Sequence, residues 1–400
     1  MTEQASSPAR RRPSWRLAAI AIPLIGLALA LRVGDDLAQP PSADDPKVVE
    51  VATGLEHPWS LAFLPDGRML VTERPGRMRW IGADGKLSAP LTGVPAVHAA
   101  GQGGLLDVVP SPRFATDQTI FFTFSEPAGA DGAPTTDSPA PLSRTTLARA
   151  RVTATGLGDV RVLYRQQPAV GGQLHYGSRI VFGRDGNLWV GLGERYSQRD
   201  KAQTLDNSLG KVIRLTPEGK PPADNPFVGR PGALPEIWSL GHRNIQGAAL
   251  NPATGELWTL EHGAKGGDEI NLDLPGRNYG WPLITWGTDY DGSQIGEGTT
   301  REGLEQPLHY WVPSISPSGA AFYTGDKFPR WRGSLLVGGL SANLLVRLTV
   351  DGNRITGEQR LLQNLDWRVR DVRQGPDGYV YLLTDAPDGK LLKLIPRETP

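Results

Sequence analysis

From Pro58 to Asp385 the chain repeats one hydropathy pattern: an alternating or wholly apolar run, a turn of the Pro-Asp-Gly kind, then a second run with an aliphatic or aromatic centre. It appears as "PWSLAFLPDGRMLVTE" from Pro58, "SRIVFGRDGNLWVGLGE" from Ser178, "QGAALNPATGELWTLEHG" from Gln246 and "RDVRQGPDGYVYLLTD" from Arg370. Two looser copies are "GGLLDVVPSPRFATDQTIFFTFSE" from Gly103 and "SGAAFYTGDKFPRWRGSLLVGGL" from Ser318. Alternation at period two marks strands, and an Asp-Gly pair between two such runs marks a hairpin. Helical signals are almost absent, which disfavours a solenoid. About six copies, each longer than a compact propeller repeat, predict an all-β fold, a six-bladed β-propeller with long connections. Loops from successive blades then meet on one face around the central channel.

Two stretches fall outside the pattern. "EPAGADGAPTTDSPAPLSR", Glu126 to Arg144, is too rich in Ala, Pro, Ser and Gly to build a core and reads as a surface excursion between strands. At the N-terminus the basic "ARRRPSWR" precedes an apolar run from Leu17 to Leu31, with Ala28-Leu29-Ala30 as an A-x-A cleavage pattern. The run is short for a span of about 20 residues, and Pro23 interrupts it. Residues 1–31 are therefore expected to be an export signal, with an uncleaved anchor as the alternative, residues 32–46 a linker, and residues 47–397 the propeller. A periplasmic or otherwise exported protein follows.

Composition narrows the partners. Lys+Arg and Asp+Glu are both 42, so nothing favours nucleic acid, whose binding proteins carry a basic excess or stripe. With no cysteine there is no disulfide framework and no thiolate metal site. Eleven tryptophans speak for an aromatic core rather than disorder.

Polar residues then stand out where strands end. Gln102 lies in "GQGG", His175 just ahead of one strand and Glu194 just after the next, and Arg243 and Asn244 are adjacent in "GHRNIQG". Arg368 and Arg370 share one side of an extended segment, where two cations repel unless something anionic lies between them. Each has a plain structural alternative: a turn glutamine, a hydrogen-bonded histidine, a blade-bridging Arg-Asn pair, a solvated Glu194–Arg195 ion pair. The functional alternative is a channel-mouth pocket for a planar polyanion, with His175 and Glu194 as a base and its orienting carboxylate. In "EHGAKGGDEINLDLPGRNYGWP", Glu269 and the carbonyls of a glycine-rich turn could hold Ca²⁺. Equally, Asp268 could cap backbone amides in a self-sufficient turn. Spacing does not separate these possibilities.

"GQGGLLDV", "HYGSRIVF", "LGKVIRLTPEGKPPADNPF", "GHRNIQG", "EHGAKGGDEINLDLPGRNYGWPLITWG", "PSGAAFYTGDKFPRW" and "RVRDVRQGPDGYVYLLTD" together resemble the pyrroloquinoline quinone (PQQ)-dependent aldose sugar dehydrogenases, relatives of soluble quinoprotein glucose dehydrogenase in the glucose/sorbosone dehydrogenase family. The likeness runs from about Val51 to Ile395. It implies a six-bladed propeller that oxidises the anomeric hydroxyl of aldoses to lactones, passes hydride to PQQ, and hands electrons to an acceptor it does not identify. His175 matches the family's general base, and Glu194 its orienting carboxylate. Gln102, Arg243, Asn244, Tyr290, Arg368 and Arg370 match quinone-binding positions, and the backbone of Gly339, Leu340 and Ser341 lines that site. Gly263 and Ala264 fall where carbonyls hold the Ca²⁺ that touches the quinone, Glu269 and Tyr279 at a further calcium site, Tyr279 through its backbone oxygen. Two positions depart: Ser341 replaces a family lysine, removing one cation, and Ala264 replaces a proline. Alternatives are a sugar-binding or interaction propeller without catalysis and a metal-dependent lactone hydrolase. Neither the preferred sugar nor the oligomeric state is legible.

Overall fold

The hairpin copies become the two innermost strands of six antiparallel sheets in a computed structural model, which describes residues 45–136 and 140–397. The expected signal and nearly all of the expected linker lie outside those residues. The inner pairs are Pro58–Phe63 with Met69–Glu73, Leu105–Pro110 with Thr119–Ala128, and Gly177–Phe182 with Leu188–Leu192. They continue as Ile245–Leu250 with Leu257–Glu261, Pro317–Phe322 with Leu335–Gly339, and Val369–Gln374 with Val380–Thr384. The first blade has three strands and the other five have four. Inner strands of successive blades touch in order, and the last returns to the first. The ring is thus a closed six-bladed β-propeller, the architecture the hydropathy pattern predicts.

Closure uses both ends of the described chain. Lys47–Leu55 is the outermost strand of the last blade, antiparallel to Gly389–Ile395, with Lys47 opposite Ile395. Between blades, apolar faces interlock in turn around the ring. Leu70 and Trp80 meet Val108 and Phe122, Phe121 meets Ile180, and Trp189 meets Ile245. Trp258 then meets Phe322 and Val337, Leu336 meets Val372, and Leu383 meets Leu61 and Val71. At about 1.5–3 kcal/mol for each large side chain fully buried, these faces hold the ring, and among the described residues no helix is longer than five residues.

One expectation needs adjusting. The excursion between Glu126 and Arg144 is narrower than composition suggested: the hairpin continues through it, pairing Glu126 with Arg144 and Ala128 with Leu142. The reason is a cross-strand charge pair, because the nearly buried Glu126 carboxylate binds both Arg144 and Arg165. Residues 137–139 are not described. Among the described residues, no helix is long and apolar enough to cross a membrane, and the anchor alternative rests wholly on residues outside them.

A charge cluster spans the inner strands. Asp107 is fully buried and binds Arg373 at 3.0 Å and Arg179 at 3.3 Å, while Asp371 binds Arg179 at 3.0 Å and Arg373 at 2.9 Å. Ser60 donates to Asp107 at 2.7 Å and the Ile180 amide does so at 2.8 Å. Two anions and two cations from three blades balance one another. Gly319 is required here, since a Cβ on it would lie 2.1 Å from Asp371 Oδ1.

Candidate active site

The strand Leu188–Leu192 ends at Gly193, where a Cβ would sit 2.1 Å from the His175 carbonyl oxygen. Only glycine lets the two segments approach that closely. The next residue, Glu194, turns inward, and its Oε2 accepts from His175 Nδ1 at 2.9 Å and from the Tyr196 amide. A carboxylate only accepts, so His175 carries its proton on Nδ1, leaving Nε2 as the nitrogen that can take another. Burial pulls the His175 pKa below the ordinary histidine value; the Glu194 hydrogen bond opposes this, and Arg243 adds to it. The imidazole is therefore neutral and basic at neutral pH. His175 itself sits at φ +55°, and its amide donates to Gln102 Oε1 at 2.8 Å. Gln102 thus holds the backbone of the candidate base.

The solvated Glu194–Arg195 pair does not form. Arg195 is buried, donating to the carbonyls of Ser143 at 2.7 Å, Gly172 at 2.9 Å and Leu174 at 3.0 Å, and lying over the Tyr176 ring at 3.8 Å. It anchors the turn that presents Glu194, whose Oε2 is left to His175 and the Tyr196 amide.

Arg243 and Asn244 open the fourth blade. The Arg243 amide donates to Glu261 Oε2 at 2.5 Å, and its guanidinium reaches the His262 carbonyl at 3.0 Å and the Tyr290 hydroxyl at 3.4 Å. Asn244 Oδ1 accepts from the Gly177 amide at 3.2 Å, a bridge between blades. Arg370 donates to Gln246 at 3.1 Å and to Asp385 at 2.9 Å. Arg368, half exposed, reaches Asp385 at 3.3 Å and the Leu340 carbonyl at 3.2 Å. The anion between the two arginines is therefore, in part, the protein's own Asp385. Burial raises the Asp385 pKa, but Arg370, Arg74 and Arg368 outweigh it and hold the carboxyl well below the usual range.

Three buried donors in this group find no acceptor: Arg243 Nε, Asn244 Nδ2 and Arg370 Nε. Nearby His262 accepts from Arg243 through its carbonyl at 3.0 Å and donates its amide to the Asn244 carbonyl at 3.2 Å. Burial first, then the proximity of Arg243, Arg370 and His175, lowers its pKa to about 3. Orphaned buried donors on cationic residues suit a ligand with several carboxylates, so the arginine set fits PQQ. Tyr290 stands at the rim, 58% exposed. Ser341 is exposed, and its hydroxyl lies 2.9 Å from that of Ser316 and donates to the Ser314 carbonyl at 3.3 Å. Arg368 meets the backbone beside it, so this corner keeps one cation despite the lost lysine.

The glycine-rich loop divides in two. Asp268 caps amides, as its plain alternative required: it accepts from Gly263 N at 2.9 Å, Ile315 N at 2.8 Å and Ser316 N at 2.9 Å. Glu269 accepts only a long bond, 3.4 Å, from Asn271. Burial, then the charges of Glu261 and Asp268, push its pKa well above the carboxylate range. Glu261, Gly263, Glu269 and Tyr279 line one small space beside Arg243, while Ala264 faces a larger cavity with Arg243 and Tyr290. The Tyr279 side chain is already used: its hydroxyl accepts from Leu274 N at 2.8 Å and donates to the Leu272 carbonyl, and its ring stacks on His242. Only its backbone remains for a metal. Among the described residues no three His, Cys, Asp or Glu side chains cluster as a metal site, so carbonyls must supply part of any shell. Carboxylate crowding plus carbonyls fits a hard cation such as Ca²⁺ better than zinc.

Sequence reasoning missed Asp385, Gln246 and Glu261. Asp385 ends the last hairpin copy, and Glu261 is the first residue of the glycine-rich motif; each meets its arginine across its own hairpin, a pairing set by strand register rather than by residue pattern.

A six-bladed propeller with a carboxylate-oriented histidine beside an arginine cluster defines a sugar dehydrogenase of the quinoprotein kind in its architecture. The family model described as Glucose / Sorbosone dehydrogenase matches residues 55–393, and the chain belongs to that family. It is 47% identical over 348 residues to aldose sugar dehydrogenase YliI of Escherichia coli strain K12, covering 86% of this chain and 91% of that protein. Among solved structures, the apo soluble aldose sugar dehydrogenase of Escherichia coli superposes with a TM-score of 0.83 at 46% identity, covering 88% of this chain and 99% of that one. The PQQ-bound aldose sugar dehydrogenase of Streptomyces coelicolor gives 0.71 at 30% identity, covering 89% and 99%.

Proposed function

We propose that this chain oxidises the anomeric hydroxyl of ring-form aldose sugars to lactones, with PQQ as electron acceptor and Ca²⁺ as its metal, in the periplasm or another exported location. The observation that carries the proposal is the His175–Glu194 pair at 2.9 Å beside the orphaned donors of Arg243, Asn244 and Arg370. Bound PQQ and Ca²⁺ would supply a two-electron sink and the Lewis acidity that polarises it. His175 takes the sugar hydroxyl proton at Nε2 as hydride leaves the same carbon, and Glu194 stabilises the imidazolium through Nδ1–H. Gln102 fixes the His175 backbone. Arg243, Arg368, Arg370 and Asn244 bind the quinone, with Tyr290 and the backbone of Gly339, Leu340 and Ser341 beside it. Gly263, Ala264, Glu269 and Tyr279 are assigned to calcium.

Reconstitution of the purified protein with PQQ and Ca²⁺ tests this, following dye reduction over a panel of aldoses. Activity is expected to need both additions, and His175→Ala holoenzyme to lose about 10²–10⁴-fold in kcat. Undiminished sugar oxidation by His175→Ala would sink the proposal. A metal lactonase is the weaker alternative, because it needs free carboxylates around a channel metal. Here Asp107 and Asp371 are both paired with arginines.

A further inference from the structure

Tyr196 has a conformation that its place in the chain does not explain. Arg195 and Tyr196 are consecutive non-glycine residues in the left-handed region, at φ +65° and +63°. A turn needing that backbone normally takes Gly or Asn, and a bulky side chain there carries strain unless its surroundings impose it. The surroundings do impose it. Arg195 is locked by its three carbonyl acceptors and Tyr176, the Tyr196 amide is held by Glu194, and Ser197 N returns to the Arg195 carbonyl at 2.8 Å. The result places a phenol ring edge-on to the candidate base, 5.3 Å from the His175 ring at 81°. Yet the ring is not core: Tyr196 is 49% exposed, while His175 is 4% and Glu194 is 1%.

The same ring borders a cavity of about 270 Å³. Its apolar walls are Tyr196, Trp281 and Ile295, and its polar ones include Arg199, Asp200 and Asp289. It shares Arg243, Ala264 and Tyr290 with the proposed cofactor and metal site. Such mixed walls suit a ligand with apolar faces and hydroxyl edges, and a sugar ring has both, C–H bonds on its faces and hydroxyls around its rim.

We propose that Tyr196 is a substrate-contact residue. Its ring is the wall against which the C–H face of a ring-form aldose lies, while the anomeric hydroxyl addresses His175. The inference rests on the sugar-oxidising function proposed above and adds the surface that selects a ring over an open chain. The shared carboxylate explains the coupling: Glu194 orients the base and the wall with one oxygen, so the two keep a fixed mutual position.

Two substitutions test it in PQQ- and Ca²⁺-loaded enzyme. Tyr196→Asn removes the ring and keeps a residue that tolerates positive φ, and Tyr196→Phe keeps the ring and removes the hydroxyl. Tyr196→Asn is expected to raise KM for aldoses about tenfold, the size of one aromatic contact, with kcat changed much less. The inhibition constant of the lactone product should weaken by the same factor. PQQ affinity, read by absorbance titration, should not move, and Tyr196→Phe should stay within about twofold of wild type. An unchanged KM in Tyr196→Asn overturns the proposal, as does a loss traced to weaker PQQ binding, which would make Tyr196 a cofactor contact. Equal damage in Tyr196→Phe also overturns it. Should wild-type protein fail to oxidise any aldose, the proposed function falls and this inference with it; an active wild type with an indifferent Tyr196→Asn removes the wall alone.

Discussion

Arginines occur in two settings a few residues apart along the last inner strand. Arg373 belongs to a cluster in which two arginines face two aspartates, with Arg179–Asp107 and Arg179–Asp371 contacts of 3.3 and 3.0 Å. Arg370, three positions earlier, belongs to a mouth where Arg368 and Arg370 share one acid, Asp385. In the first setting charge is closed on itself and ties three blades together. In the second it is in surplus, and the surplus appears as donors without acceptors on Arg243 and Arg370. Residue type alone does not separate scaffold from site; the local balance of charge does.

The comparison is easiest to break from the scaffold side. Removing one partner of a buried ion pair leaves an uncompensated charge and costs about 3–5 kcal/mol. Asp107→Ala is therefore expected to lose that much unfolding free energy in urea, because Arg179 and Arg373 both depend on it. A loss below about 1 kcal/mol would mean the cluster is not structural.

Next in size is the base. Glu194→Gln should lower kcat about 10²-fold with little change in melting temperature. It also has a pH signature. The His175 pKa already lies below the usual value because of burial, and Glu194 is what raises it. Wild-type kcat/KM should thus hold below pH about 6.5 before its acid limb falls, and Glu194→Gln should move that limb lower still. A limb shifted upward would contradict the assigned partnership.

Arg370→Leu tests the mouth. Hydrogen bonds to charged groups are worth about 1.5–3 kcal/mol, so PQQ affinity should fall about tenfold to a hundredfold. Apo stability should move far less than in Asp107→Ala, since Arg368 still faces Asp385. Equal losses of stability in the two variants would erase the distinction between the settings. Smallest is Ser341→Lys: Ser341 is exposed, so a new cation is screened, and PQQ should bind only a few-fold tighter, less so at high salt.

Much of this was legible in the sequence, for reasons that differ between residues. The hairpins were legible because strand alternation and Asp-Gly turns are local, and Gly67, Gly186 and Gly378 indeed sit at positive φ. Gln102, His175, Arg243 and Arg370 were legible because polar residues at strand ends are rare enough to notice. What stayed hidden was mutual: Asp385 between two arginines, Glu261 behind the Arg243 amide, and Arg195 burying itself rather than pairing with Glu194. Asp385 and Glu261 meet their partners across the hairpin of a single blade, so strand register sets those distances, while Arg195 reaches the carbonyls of Ser143 and Gly172 in other segments. The Glu126–Arg144 pairing was hidden for the opposite reason, since loop-like composition masked a strand register.

The ring's seam has a consequence for how the protein comes into being. Lys47–Leu55 is among the first described segments to be synthesised, yet its neighbour in the sheet, Gly389–Ile395, is among the last. Until that partner arrives, the early strand presents an unpaired edge, the kind of surface on which chains pair with the wrong neighbour. Contacts this distant in sequence also form slowly. A chain cut short after Thr384 would therefore lose more than a terminal strand: the last blade would keep only its two inner strands, Lys47–Leu55 would have no partner, and quality control would meet a ring whose seam was never sewn.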